Sequence, residues 1–226
     1  FVPSDDNHHI LYRPLFLTGL LLEDYLKENE YFGATKLLIS SASSKTAISL
    51  AFMLGKLGEI ELVALTSQKN LKFVKSLGLY DEVVCYDKIE RMPNQQPITY
   101  IDICGDAILQ KNIQRHFNEQ LSHCCSVGKT HTNIKGSSPA TAHLPVSKRT
   151  KSNDRKQSQF FAPSQIKKCY QALGSDGFSQ YFNQSWTAFA GQVDEWINII
   201  EFSSNTDLLS VYDLLLIGSK PDQGLV

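Results

Sequence analysis

Ser41, Ser43, Ser44, Lys45 and Thr46 bring four hydroxyls and one ammonium group into a single short stretch, ISSASSKTAISLA, residues 39–51. An apolar run ending in Leu37, Leu38 and Ile39 enters it, and a helical pattern from Ala47 to Leu54 leaves it. A strand–turn–helix junction can hold a phosphate, because the first amides of the helix have no intrahelical acceptor and the helix dipole favours an anion there. A P-loop requires glycine, four residues, then Gly-Lys-Ser/Thr. Lys45-Thr46 supplies the last two, but the glycine positions hold Ile39 and Ser44, so that reading is rejected. A dinucleotide-binding turn asks for less. Small residues approach a pyrophosphate nearly as closely as glycine, and the serine hydroxyls can donate to it. Ala47 stands where the third glycine would let helix pack on strand. On spacing alone an ordinary serine-rich turn fits as well, and Lys45 is directed either at the pyrophosphate or into solvent.

The next chemistry lies one strand further on. An NAD-binding fold usually places Asp or Glu about 20 residues past the turn, against the ribose hydroxyl. Here the chain reads Leu65-Thr66-Ser67-Gln68-Lys69-Asn70, without a carboxylate. Ser67 and Lys69 suit a ribose 2′-phosphate. They equally suit a helix cap and a solvated lysine.

The rest of the chemistry is sparse. His8-His9 reads as a solvated pair rather than a metal site, and Cys124-Cys125 as a buried, unreactive pair. Lys129 and His131 follow a strand end, where α/β sites cluster, and could reach the nicotinamide side. No zinc-ligand constellation stands out.

These residues need a scaffold to position them, and the periodicities describe one. A helical spread covers residues 15–26, with Pro14 in its first turn and Gly33 closing the turn after it. Strands are expected at 37–40, 62–65, 82–86, 98–102 and 121–127, with helices at 46–57, 70–77 and 107–119 between them. That alternation indicates βαβ units, hence an α/β fold with a Rossmann-like doubly wound parallel sheet. Residues 1–35 then form an N-terminal helical lead, and 36–131 the nucleotide-binding domain. Residues 132–159, rich in Ser, Thr, Lys and Asn, form a flexible loop. Residues 160–226 form a C-terminal α+β extension. It comprises a helix at 165–173 capped by Ser164 and stopped by Gly174, a longer helix carrying Phe178, Tyr181, Phe182, Trp186 and Phe189 as core, a strand at 196–202 and a helix at 207–217. Gly224-Leu225-Val226 reads as the start of a further strand.

Composition bounds the partners. Among 226 residues the apolar share is 42% and the formal net charge −1, which argues against nucleic acid or an anionic membrane. No run approaches the roughly 18 apolar residues of a membrane span. Five cysteines without metal spacing fit reduced thiols in a cytoplasmic protein. The expected partners are a small-molecule substrate and, in a homodimer, a second copy of the chain. The chain opens on Phe1 and closes on an apolar run, so both ends read as cut.

The segments LFLTGLLLEDYL, KLLISSASSKTAISLAFML and LVALTSQKNLKFVKSLGLYDEVVCYD resemble the cofactor-binding half of medium-chain dehydrogenases/reductases, on the quinone oxidoreductase side. The chain is more closely similar to a family of unknown function related to those enzymes, which carries SSASSKTA and a later FFAPxQI, here residues 160–166. The resemblance covers most of the chain apart from 132–159. It implies NADP(H) as cofactor, held by Ser41, Ser43, Ser44, Lys45, Thr46, Ser67 and Lys69, and hydride transfer to a carbonyl or quinone-type substrate in the full-length relatives. It also implies an N-terminal β-rich catalytic domain with no counterpart here, so this chain alone is expected to show little reductase activity. The alternative is a non-catalytic nucleotide-binding or interaction module.

Overall fold

The computed structural model describes residues 3–127, 156–202, 212 and 220–226. Its centre is a six-stranded sheet of β1 (Lys36–Ile39), β2 (Glu61–Thr66), β3 (Glu82–Cys85), β4 (Ile98–Asp102), β5 (Leu121–Ser126) and β6 (Gln157–Gln159). The strands lie in the order β3-β2-β1-β4-β5-β6 and every neighbouring pair is parallel. Strands buried on both faces need continuous apolar sequence. Leu37-Leu38-Ile39 and Leu62-Val63-Ala64-Leu65 supply it and are buried throughout. The chain leaves β1 toward one edge through β2 and β3, then returns to the other side of β1 with β4. That reversal puts a switch point between the C-terminal ends of β1 and β4.

One face of the sheet is covered by α1 (Pro3–Glu28), α2 (Lys45–Gly55) and α5 (Ala162–Trp196), which share one apolar cluster. The other is covered by α4 (Ala107–Phe117) and the helical turn Tyr86–Arg91, and the short α3 (Leu71–Ser76) packs beside β2 and β3. Helices α1 and α2 touch where Gly19 lies: a Cβ built there would meet the Ser49 Cβ and the Leu50 amide at 2.8 Å. Only glycine permits that approach, which explains the glycine of the Leu-Thr-Gly run.

The C-terminal region is part of this core. The ring of Phe189 is fully buried and lies 4.8 Å from Phe16, 5.2 Å from Phe52 and 5.5 Å from Tyr12. Phe178, Phe182 and Trp186 are buried beside it, and Tyr181 is half-buried. Beyond α5, β7 (Asn198–Ile200) pairs in parallel with β8 (Gln223–Leu225), the strand that Gly224-Leu225-Val226 announces.

Several details differ from the sequence expectations. Helix α1 begins about three turns earlier than residue 15, so Pro14 is interior. Its ring removes the amide that would reach the Ile10 carbonyl, and both residues are exposed, so the lost bond does not cut into the core. Residues 165–173 and the helix after them run together as α5, which keeps the expected break as a non-helical Gly174 at φ 72°. Ser164 sits inside its first turn; the cap position is Phe161. Residues 157–159, assigned to a loop, form β6 against Cys124, Cys125 and Ser126 of β5. Such short polar strands lack the apolar alternation that marks a strand in sequence. The remainder of the expected loop through residue 155, Lys129 and His131, and all of the 207–217 helix except Tyr212 lie outside the described residues. Among the described residues no helix is long and apolar enough to cross a membrane.

Candidate functional site

The switch point is built from the ends of four strands. Ser40, fully buried after β1, ties the ends of β1 and β4 together. Its Oγ accepts from the Ile103 and Cys104 amides, both at 3.0 Å, and donates to the Ile101 carbonyl at 3.3 Å. Asp102, the last residue of β4, is buried and accepts from the Gly105 amide at 2.9 Å and the Tyr100 hydroxyl at 3.1 Å. Burial pushes its carboxyl above the usual range, with those hydrogen bonds opposing the shift.

The turn closes over this base. Ser41 adopts φ 49°, a conformation that favours glycine, and its amide donates to the Tyr86 hydroxyl at 2.9 Å. The Ser44 amide donates back to the Ser41 carbonyl at 2.7 Å. The Ala42 amide reaches the Leu65 carbonyl of β2 at 3.2 Å, and the Ala42 carbonyl accepts from the Tyr80 hydroxyl at 3.1 Å. The loop is therefore held on three sides, by the ends of β2, β3 and β4.

Helix α2 starts at Lys45. Ser44 is its N-cap, with Oγ accepting from the Ala47 amide at 3.2 Å. Lys45 and Thr46 are the first two helical residues, and their amides have no acceptor within the helix. Thr46 is half-buried. The side chain of Lys45 goes neither to the turn's mouth nor into solvent. Its Nζ donates to the Gln223 carbonyl of β8 at 3.0 Å, and burial pulls its pKa down. The Ser44 amide is likewise spent inside the turn.

The second-strand residues come alongside. Asn70 Nδ2 donates to Ser43 Oγ at 2.9 Å, so the turn after β2 is fastened to the turn after β1. The Asn70 Oδ1 is buried without a hydrogen-bond partner. Ser67 opens that turn half-buried and makes no side-chain capping bond, and Lys69 is exposed. The structure thus gathers Ser41, Ser43, Ser44, Thr46, Ser67 and Lys69 at one end of the sheet and turns Lys45 away toward β8. Sequence reasoning missed Asn70, Tyr86 and Asp102. Tyr86 and Asp102 lie at strand C-termini, the one place the doubly wound fold marks for ligands, and that rule could have found both.

Other expectations resolve nearby. All five cysteines are free and buried, and burial pushes the Cys124 and Cys125 thiols up to about 11 and about 12. His9 is half-buried rather than solvated: its ring lies 4.8 Å from that of Trp186, and its Nδ1 is buried without a partner, while the side chain of His8 lies outside the described residues. A cavity of about 900 Å³ lies at the opposite end of the sheet, bounded by Thr35, Gly58, Glu61, Gly78 and Asp81. It contains none of the switch-point residues.

Comparison with known proteins sets this geometry in context. The sequence profile of the family described as "Protein of unknown function (DUF2855)" matches residues 2–220. No curated protein matches the chain. Among solved structures, CurA from Vibrio vulnificus in complex with NADPH superposes with a TM-score of 0.57 at 12% identity, over 99% of this chain and 65% of that one. TarJ from S. aureus in complex with NADPH gives 0.54 at 14% identity, over 93% and 61%. The yhdH oxidoreductase from Salmonella enterica in complex with NADP gives 0.50 at 15% identity, over 89% and 57%. The chain spans less than two thirds of each of these proteins. At such identities the likeness is one of fold, a parallel sheet flanked by helices.

Proposed function

The chain belongs to the DUF2855 family of proteins of unknown function, and from that premise we propose that it binds NADP(H) at the switch point, as an oxidoreductase-like protein. The observation that carries this reading is the turn between β1 and α2. It keeps a glycine-like φ at Ser41 and presents the Lys45 and Thr46 amides at a helix N-terminus beside the strand-order reversal. The residues present fit the cofactor. Small side chains line the turn, the buried Asn70 Oδ1 lacks a partner, and no carboxylate stands at the end of β2, where one would repel a 2′-phosphate. Three structural neighbours carry NADP or NADPH in their own sites, which supports the reading.

The bound cofactor supplies hydride chemistry; the chain's own residues bind and orient it. The Lys45 and Thr46 amides receive the pyrophosphate, Ser67 and Lys69 the adenosine 2′-phosphate. The substrate class we propose is a carbonyl or quinone-type acceptor. A second reading, a nucleotide-binding module without turnover, draws on the engagement of Ser43 by Asn70, of Ser44 by Ala47 and of Lys45 by Gln223.

Calorimetric titration with NADPH and NADH tests the site. One charge-assisted contact is worth about 1.5–3 kcal/mol, so NADPH is expected to bind about tenfold to a hundredfold more tightly. Lys69→Ala should remove most of that preference and leave NADH nearly unchanged. Equal affinity for the two would refute the 2′-phosphate contact, and no binding of either would refute the site. Steady turnover of a simple quinone with NADPH by this chain would exclude the module reading.

A further inference from the structure

A second cavity, of about 460 Å³, opens between α1 and α5, away from the β1–α2 turn. Its size falls within the roughly 300–1,000 Å³ of small-molecule sites. His9, Arg13 and Leu17 of α1 form one wall, and Tyr170, Phe178 and Phe182 of α5 the other. The rings are ordered among themselves: Tyr170 and Phe178 lie 4.9 Å apart, and Phe182 stacks parallel to Trp186 at 6.4 Å. The bend at Gly174 brings Tyr170 and Phe178 together from the two halves of α5.

An aromatic enclosure of this kind would by itself attract a cation. That role is already filled, since the Arg13 guanidinium lies 5.5 Å from the Phe182 ring centroid. Among the described residues no Asp or Glu lines the cavity, and the fixed charge they give it is positive. The second polar group is His9, whose Nδ1 is buried without a partner while its ring rests on Trp186. A flip of the imidazole within its plane, which keeps the stack on Trp186, would turn that nitrogen toward a carboxylate oxygen in the cavity, and the guanidinium pairs with a carboxylate through two parallel hydrogen bonds. The aromatic walls then receive the remainder of the ligand.

We propose that this cavity is a binding site for a small planar aromatic carboxylate, with Arg13 and His9 holding the carboxylate and Tyr170, Phe178 and Phe182 the ring. Nothing in the proposal depends on the cofactor site. Trp186, in contact with His9, serves as its reporter. Titration with benzoate should change Trp186 fluorescence saturably, whereas benzamide, of the same shape without the charge, should bind at least tenfold more weakly. Arg13→Gln, an exposed position that folding tolerates, should weaken benzoate at least tenfold and leave benzamide unchanged. His9→Phe, which keeps the stack on Trp186 and removes the nitrogen, should weaken benzoate as well. Equal binding of the two probes, no saturable change with either, or an Arg13→Gln protein that holds benzoate as well as the parent would each overturn the assignment.

Discussion

The β1–α2 turn and the α1–α5 interface hold themselves together in opposite ways. In the turn, several partners are close in sequence. Ser44 Oγ serves Ala47, three residues on, and the Ser44 amide serves Ser41, three residues back. In the interface, the partners come from opposite ends of the chain. The Tyr181 hydroxyl donates to Glu23 across 158 residues, and Gln165 Nε2 to Asp24 across 141. The aromatic contacts of Phe189 with Tyr12 and Phe16 span more still. The turn is shaped by these local bonds together with its anchors on the neighbouring strand ends. A long-range interface exists only when the whole fold does, so its residues should control stability while those of the turn control binding.

The hub of the interface should show the largest effect. Phe189→Ala removes a ring in contact with Tyr12, Phe16, Phe52, Trp186 and Trp196. Truncations of this kind cost about 3–5 kcal/mol. Urea unfolding monitored by circular dichroism should read that loss. A cost near 1 kcal/mol would mean that α5 is peripheral, and the contrast between the two regions would fail.

Gly19→Val comes next, at about 1–3 kcal/mol for an overpacked contact. The added carbons meet Ser49 and the backbone of Leu50, which cannot swing aside as a flexible side chain would. Because Ser49 and Leu50 lie one turn beyond Lys45 and Thr46, NADPH affinity should fall with stability. An unchanged midpoint with weakened binding would show that α1 steers the turn without supporting the core.

These two positions also show what could be read from sequence. Strands β1 to β5 were legible because each carries apolar residues, and β1, β2 and β4 are each followed by a helical pattern. The turn was legible as a hydroxyl-rich junction. Its internal bonding was not: Ser44 was available equally to a phosphate and to Ala47, and only the backbone geometry decides. Lys45 was illegible for a different reason. Its acceptor, the Gln223 carbonyl, is 178 residues away. β6 was missed because Gln157-Ser158-Gln159 carries no apolar residue, and its place in the sheet depends on β5.

A graded effect should come from His123. The imidazole is buried, stacks on Phe32 at 3.7 Å and shares a 2.8 Å hydrogen bond with Ser158 Oγ, which also accepts from Tyr25. Burial lowers its pKa below the ordinary 6.5. The folded state therefore binds fewer protons than the unfolded one in that window. The contribution is complete above 6.5 and is lost as pH falls through the folded value. Glu23 acts in the opposite sense: burial raises its carboxyl, against the pull of Lys27, so its contribution weakens as pH rises from 4.5. The informative quantity is the difference between the parent and His123→Gln, which keeps a partner for Ser158. The parent should lose more stability between pH 7 and pH 5.5 (a range chosen about the ordinary value). Parallel curves would show that His123 is not shielded.

The smallest effect sharpens the comparison most, because it separates two uses of one hydroxyl. Ser44 Oγ either caps α2 or binds phosphate, and the structure has it on the Ala47 amide at 3.2 Å. Removing a serine cap costs about 1 kcal/mol as Ser→Ala and only a few tenths as Ser→Gly, since glycine lets water reach the freed amide. Ser44→Ala should therefore lower stability by about that amount, and Ser44→Gly by much less. Neither should alter NADPH affinity by more than about twofold, because the Lys45 and Thr46 amides remain in place. If the hydroxyl instead turns to the phosphate on binding, Ser44→Gly would keep its stability and lose about tenfold in affinity. Measuring both quantities on both variants decides between the two: a loss confined to stability leaves the turn as a backbone site, and a loss confined to affinity makes Ser44 a ligand that lets go of its helix.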